Sequence, residues 1–186
     1  MYKGRFKCEM KLSTGEAMSD FHKVAEHLSQ HAKKCKDDTA DAFGRSALNR
    51  YYYATYISVR EFLGQMDKSW EGQSHGTIPP LLEGELLKRI RTAAASQERL
   101  GLITTPKSKG YISSASNAAS SIASILKSAY SIRVISDYKP NIKLTFNNGG
   151  FSCGGHTDSE ARGWKSKVDT QKGILLNISR ELGIVS

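Results

Sequence analysis

A regular helical pattern between residues 43 and 63 is the feature that most limits the fold of this chain. The positions that recur there every three or four residues are Phe43, Ala47, Leu48, Tyr51, Tyr52, Thr55, Val59, Phe62 and Leu63. This 3.6-residue period predicts an amphipathic helix with one buried face. Asp37 and Asp38 suit its first turn, and Gly64 is expected to end it.

Further segments have the same helical spacing. Ser13 with Glu16, and Thr157 with Glu160, form the capping signature that marks the start of a helix. Besides the helix over 37–64, we predict helices over about 14–34, 81–100 and 113–138, and one after residue 157. The long fourth helix is stopped by Pro140.

The spacing changes before the last helix. Ile142, Leu144 and Phe146 alternate with polar residues and are followed by Asn-Asn-Gly-Gly. Alternation with period two before such a turn predicts a β-hairpin, which we place at 141–156.

These elements predict one all-α domain over residues 1–186. It is a bundle of about five helices with a small β-hairpin inserted before the last helix. Residues 1–13 form a basic N-terminal arm, and the segments 67–80 and 101–112 are predicted to be loops.

Composition narrows the class of protein. The 186 residues include 39% hydrophobic residues, and no apolar run approaches the roughly 20 residues that span a bilayer. The N-terminus lacks the apolar stretch of a secretory signal, and Cys8, Cys35 and Cys153 form no paired motif. We therefore expect a cytoplasmic protein without a membrane partner. Its formal charge of +9 favours polyanionic partners such as RNA.

Residues 45–63 read RSALNRYYYATYISVREFL, residues 74–78 read SHGTI and residues 132–138 read IRVISDY. These three stretches resemble the HEPN family, the small helical-bundle domains of prokaryotic toxin-antitoxin and defence systems. The first is similar to that family's SALxRAYYAxFHAARALL helix. The SHGTI of 74–78 is similar to its THxGVI loop, and the IRVISDY of 132–138 to its LRxxADY helix end. The order and spacing of these motifs match over about two-thirds of the chain.

The resemblance implies a bundle that dimerises, often beside a nucleotidyltransferase-like antitoxin, and that in many members cuts RNA. Those ribonucleases use an Arg followed, after four to six residues, by a His, with both subunits contributing. A metal-independent ribonuclease needs a base for the 2′-hydroxyl and a clamp for the charged phosphorane, which suit His and Arg.

The family's catalytic pair is absent from this sequence. None of the ten arginines has a His five to seven positions later, and Ile57 stands where related sequences often have His. Arg133 is followed instead by Asp137 and Tyr138. The candidate catalytic residues are therefore Arg133, Asp137 and Tyr138, with His75 from the 74–78 loop.

Two interpretations of this set remain open. Arg133 and Asp137 are four residues apart, which is the spacing of an ion pair within a helix. Alternatively, Arg133 binds a nucleotide or RNA phosphate while Tyr138 stacks on a base.

The tyrosines of the second helix point in different directions, because successive helical residues are about 100 degrees apart. Tyr52 and Tyr56 share the face of the core or a dimer seam, and Tyr53 lies on a more polar side. The residues predicted to contact nucleic acid or nucleotide are Asn49, Arg50, Tyr53, Arg60 and Arg45.

His27, His31 and Cys35 recur every four residues on the first helix. The first and third are about 12 Å apart along a straight helix, too far to share one metal ion. We predict surface histidines there, and neither a metal site nor a cofactor.

Three functions are compatible with the sequence. The first is a HEPN-like component of a toxin-antitoxin or antiphage system that binds RNA, a nucleotide or a partner subunit through its basic surface. The second is an active ribonuclease toxin with a nonstandard site. The third is a structural accessory subunit of a larger complex.

Overall fold

The computed structural model describes residues 14–35, 37, 39–147 and 149–185. The predicted basic arm of 1–13 and the first half of the Ser13–Glu16 capping signature lie outside these residues. The elements in chain order are α1 (Thr14–Lys34), α2 (Thr39–Met66), a 3₁₀ turn (Lys68–Trp70), α3 (Ile78–Leu81), a π turn (Leu82–Leu86), α4 (Leu87–Arg99), α5 (Thr105–Tyr138), β1 (Thr145–Asn147), β2 (Gly150–Cys153), β3 (His156–Thr157) and α6 (Asp158–Glu181). The prediction of a mainly helical chain with a small sheet before its last helix is confirmed.

Helix α2 lies at the centre of the bundle, where it contacts α1, α5 and α6. Its buried face includes Leu48, Tyr51, Tyr52 and Val59, as the 3.6-residue period predicts. The helix does not end at Gly64. It continues to Met66, whose side chain is buried in the core.

The loop predicted at 67–80 contains the 3₁₀ turn and the start of α3. The proline pair Pro79 and Pro80 lies within the first turn of α3. Helical residues there have no intrahelical partner for their N–H groups, so the missing proline N–H costs little. α3, the π turn and α4 follow one another without a gap, so Ile78 to Arg99 form one helical stretch.

The prediction of a loop over 101–112 was wrong for most of that segment. Helix α5 begins at Thr105, and the Thr104 side chain accepts a hydrogen bond from the Lys107 backbone N–H at 3.4 Å. Pro106 follows in the first turn, where proline favours helix initiation. Thr104 and Pro106 therefore begin the helix eight residues before the predicted start at Ser113.

The predicted hairpin is part of a three-stranded antiparallel sheet. Strand β1 pairs with β2 in the register Thr145 to Ser152, and β2 pairs with the short strand β3. Leu144, Phe151 and Cys153 are buried on one side of the sheet. Leu144 and Phe151 reach α2 at Gly44, where a Cβ atom would collide with the Leu144 side chain.

A buried carboxylate joins this sheet to two helices. Asp158, the first residue of α6, accepts hydrogen bonds from the Phe151 backbone N–H at 3.2 Å and the Ser29 hydroxyl at 3.4 Å. Lys33 Nζ of α1 lies 2.5 Å from the same carboxylate. Within the described part of the chain, no helix has the length and apolar character needed to cross a membrane.

Candidate functional site

Arg133 is the centre of a polar network near the end of α5. Its Nη2 donates to the Tyr53 hydroxyl of α2 at 3.4 Å. Its Nε lies 3.0 Å from Asp137 Oδ2. The two side chains form an ion pair there, but the N–H group of Nε does not point at the oxygen well enough to make a hydrogen bond. The guanidinium carbon is 5.0 Å from the centre of the Tyr138 ring, and Asn49 Nδ2 donates to Asp137 Oδ1 at 2.6 Å. We call these five residues the Arg133 network.

Four tyrosines surround His75 beside this network. The centre of the imidazole ring is 4.0 Å from that of Tyr56, 5.4 Å from Tyr52, 5.8 Å from Tyr130 and 6.2 Å from Tyr53. These five residues form the His75 cluster. Tyr53 belongs to both groups, so the cluster and the Arg133 network are continuous.

Hydrogen bonds hold the loop that carries His75 against α2. The Tyr56 hydroxyl donates to the Gln73 carbonyl oxygen at 2.7 Å. The Tyr52 hydroxyl forms a hydrogen bond with His75 Nδ1. The imidazole is therefore oriented by two turns of α2, and its surroundings are mostly aromatic.

The electrostatic environment of His75 favours its neutral form. Burial lowers the pKa of His75, and the positive charges of Arg133 and Arg60 lower it further. Burial raises the pKa of the Tyr52 phenol, so this hydroxyl keeps its proton at neutral pH. If Nδ1–H donates to the Tyr52 oxygen, Nε2 carries the free lone pair and can accept a proton.

The lowered pKa of His75 makes stability depend on pH. Unfolded His75, with a pKa of about 6.5, binds a proton more readily than folded His75. Its contribution to stability is therefore complete above about pH 6.5 and is lost as the pH falls towards the folded pKa. We expect His75→Gln to lose less stability than the wild type between about pH 7 and pH 5 in urea unfolding. His27→Gln, at an exposed position on α1, is the control for the substitution itself.

The structure brings together six of the residues selected from the sequence. Asn49, Tyr53, Arg133, Asp137 and Tyr138 lie in the Arg133 network, and His75 adjoins it. Arg60 is next to them, with its guanidinium carbon 5.5 Å from the Tyr56 ring centre. It also lines a cleft of about 550 Å³ with Glu61, Gly64, Gln65 and Lys68.

Two predicted contacts, Arg45 and Arg50, lie elsewhere. The Arg45 side chain is buried, and its guanidinium is bonded to Asp41 and to backbone carbonyl groups, so it offers no surface to a ligand. Arg50 is exposed but packs over the Phe21 ring of α1 at 5.7 Å. Neither side chain reaches the His75 cluster.

Tyr130 is a further residue of the site that was not predicted from the sequence. It lies three residues before Arg133, on the same side of α5, and its ring is 6.1 Å from that of Tyr52. The i, i+3 spacing from Arg133 was the available signal. Tyr130 and Tyr138 are exposed, at 43% and 61%, so both rings are accessible to a ligand.

The histidines of α1 lie apart from this site. His27 and His31 are exposed, and the His31 ring packs against Phe43 with a centre-to-centre distance of 4.2 Å. Among the residues that the structure describes, no three His, Cys, Asp or Glu side chains are grouped so that they could hold a metal ion.

The two groups together place one guanidinium and one neutral imidazole between exposed aromatic rings. Such a surface can bind a phosphate through the cation and a base through the rings. Comparison of the chain with family models, with curated proteins and with solved structures gave no match.

Proposed function

We propose that this protein binds RNA or a nucleotide through the Arg133 network and the His75 cluster. In this proposal it acts in the cytoplasm as a HEPN-like component of a prokaryotic toxin-antitoxin or antiphage system. The observation that carries the proposal is the position of Arg133, held beside the exposed ring of Tyr138 and three residues after the exposed Tyr130 on the same side of α5.

The Arg133–Asp137 ion pair is compatible with ligand binding. A guanidinium has five N–H groups, which is more than Asp137 and the neighbouring tyrosines use. The remaining N–H groups of Arg133 can donate two parallel hydrogen bonds to a phosphate, and such charge-assisted bonds are stronger than hydrogen bonds to neutral groups. The net charge of +9 adds a general attraction for polyanions.

The test is binding of labelled single-stranded RNA, followed by fluorescence anisotropy. We expect Arg133→Gln to weaken binding by about 10- to 100-fold, since a hydrogen bond to a charged group contributes about 1.5–3 kcal/mol. Arg99→Gln removes the same charge at the end of α4 and should have a much smaller effect. Wild-type affinity should fall steeply between about 50 and 150 mM salt.

Two outcomes would contradict the proposal. Equal affinities of the Arg133→Gln and Arg99→Gln proteins would show that RNA is held by general charge and not by this site. Absence of salt-sensitive binding in the wild type would favour the structural accessory subunit. The homodimer and the nucleotidyltransferase-like partner stay predictions from the family resemblance.

The environment of His75 favours ribonuclease activity as a second candidate function. A neutral imidazole can take the proton of a 2′-hydroxyl while a guanidinium stabilises the phosphorane. We propose His75 and Arg133 for these roles in this alternative. Incubating the same RNA with excess EDTA and separating it on a gel tests it: cleavage that is lost in both His75→Gln and Arg133→Gln supports it, and intact RNA with the wild type contradicts it.

A further inference from the structure

We infer that the β-hairpin and the Asp41–Arg45 pair form a brace that positions the last turn of α5 for ligand binding. Arg45 and Asp41 are then positioning residues, and the hairpin is part of the site although it contributes no ligand contact. The ligand-binding consequence rests on the proposed function, whereas the structural effect can be measured without a ligand.

Arg45 caps the C-terminus of α5. Its Nη1 donates to the carbonyl oxygens of Ile135 at 3.1 Å, Ser136 at 3.2 Å and Lys139 at 3.3 Å. Its Nη2 donates to the carbonyl oxygen of Ile142, just before the sheet. The Ile135 and Lys139 carbonyl oxygens also accept backbone N–H groups, from Lys139 at 3.1 Å and from Ile142 at 3.0 Å. Arg45 therefore adds to the bonds that close the helix, and its cation stabilises the helix dipole at this end.

Asp41 connects this cap to the hairpin. Its Oδ2 accepts a hydrogen bond from Arg45 Nε at 2.6 Å, and its Oδ1 accepts one from the Leu144 backbone N–H at 2.8 Å. Burial opposes ionisation of Asp41, but these two hydrogen bonds keep its pKa below the ordinary value. The carboxylate therefore holds both Arg45 and the strand that follows α5.

Apolar packing holds the hairpin in place on the same turn of α2. Leu144 and Phe151 cover Gly44, where a side chain would collide with Leu144. Gly44 is adjacent to Arg45, so the packing contact and the polar brace lie side by side. The absent side chain lets the hairpin approach α2 closely enough for Asp41 to reach Leu144 N.

The braced turn carries the ligand-binding residues. Asp137 and Tyr138 lie between the capped carbonyl groups of residues 136 and 139, and Arg133 lies two residues before that of residue 135. Helix ends fray readily, and the Arg45 bonds add to the few backbone bonds that hold this one. Loss of the brace should therefore release the Arg133 network while leaving the rest of the bundle folded.

The test compares Arg45→Met, which has no donors, with Arg45→Lys, which keeps the charge. In Arg45→Met we expect faster amide hydrogen exchange in the last turn of α5, with unchanged exchange in the middle of α2. The NMR titration midpoint of His75 should rise towards that of Arg133→Gln, because Arg133 leaves its place near the imidazole. RNA affinity should fall to within about threefold of the Arg133→Gln value, and Arg45→Lys should partly restore all three properties.

Leu175→Ala is the control for general destabilisation. Leu175 is fully buried on α6 towards the end where Glu181 contacts Tyr111 near the start of α5, away from the braced turn. This variant should be less stable yet keep the wild-type His75 titration. The brace is refuted if Arg45→Met folds with wild-type exchange in the last turn of α5 and a wild-type His75 midpoint.

A second variant approaches the brace from the other side. Gly44→Val should displace the hairpin, because the new side chain collides with Leu144, and it leaves every charge in place. It can therefore replace Arg45→Met in the test if that variant does not fold. It should raise the His75 midpoint in the same direction, and an unchanged midpoint would again contradict the brace. Since exchange and titration need no RNA, a wild type that binds no RNA would remove the proposed function without removing the brace.

Discussion

Asp158→Ala should lower the free energy of unfolding by about 3–5 kcal/mol, the range observed when one partner of a buried ion pair is removed. The Asp158 side chain is 5% exposed, and its loss would leave the Lys33 ammonium without its partner and the Phe151 N–H without its acceptor. Urea unfolding followed by circular dichroism measures the change. A loss of this size is a large fraction of the stability of a domain.

Two further variants separate the contributions at this position. Asp158→Asn keeps an oxygen that can accept from the Phe151 N–H, so it should lose less stability than Asp158→Ala. Ser159→Ala, at the exposed next residue, should change stability by less than about 0.5 kcal/mol. A loss below about 1 kcal/mol for Asp158→Ala would mean that the carboxylate does not hold α1, the sheet and α6 together.

Removing the rings of Tyr130 and Tyr138 together should weaken RNA binding by about 100-fold, or about tenfold for each ring, since stacking of a base on an aromatic side chain contributes about 1–3 kcal/mol. Both rings are exposed, so the double alanine variant should unfold at nearly the wild-type urea concentration. Fluorescence anisotropy with single-stranded RNA measures the affinity.

Two matched controls test whether the aromatic rings of Tyr130 and Tyr138 are the groups that bind the RNA. Tyr130→Phe with Tyr138→Phe keeps both rings and should retain most of the affinity. Leu102→Ala removes a side chain of similar exposure from the α4–α5 connection and should leave the affinity unchanged. If the phenylalanine variant binds as weakly as the alanine variant, the hydroxyl groups and not the rings contact the RNA.

The helices could be predicted well wherever one face is buried. The period of α2 predicts Tyr52 and Tyr56 on the face of the core or a dimer seam and Tyr53 on a more polar side. In the structure Tyr52 and Tyr56 are buried in the core, and Tyr53 is half-buried. The start of α5 was missed because its first two turns have few apolar residues. There the Thr104 cap and Pro106 initiate the helix, and these signals act locally without an apolar pattern.

The site was partly predictable from the sequence. Arg133, Asp137 and Tyr138 lie within two turns of one helix, so their proximity follows from helical geometry alone. The contact of Tyr130 with His75 joins residues 55 positions apart in the chain, and it depends on how α5 packs beside α2. The role of Arg45 could not be predicted, because the carbonyl groups that it binds come together only in the folded protein.

The π turn at 82–86 has a consequence for how related chains can be found. A π turn inside an α-helix holds about one residue more than a regular helical turn. Gly84 is exposed, and removing it would leave Leu82 and Leu86 three positions apart, still on one face. A relative without this turn would therefore keep the same bundle, and its sequence would match this one only if the alignment allows a one-residue gap in the middle of the helix.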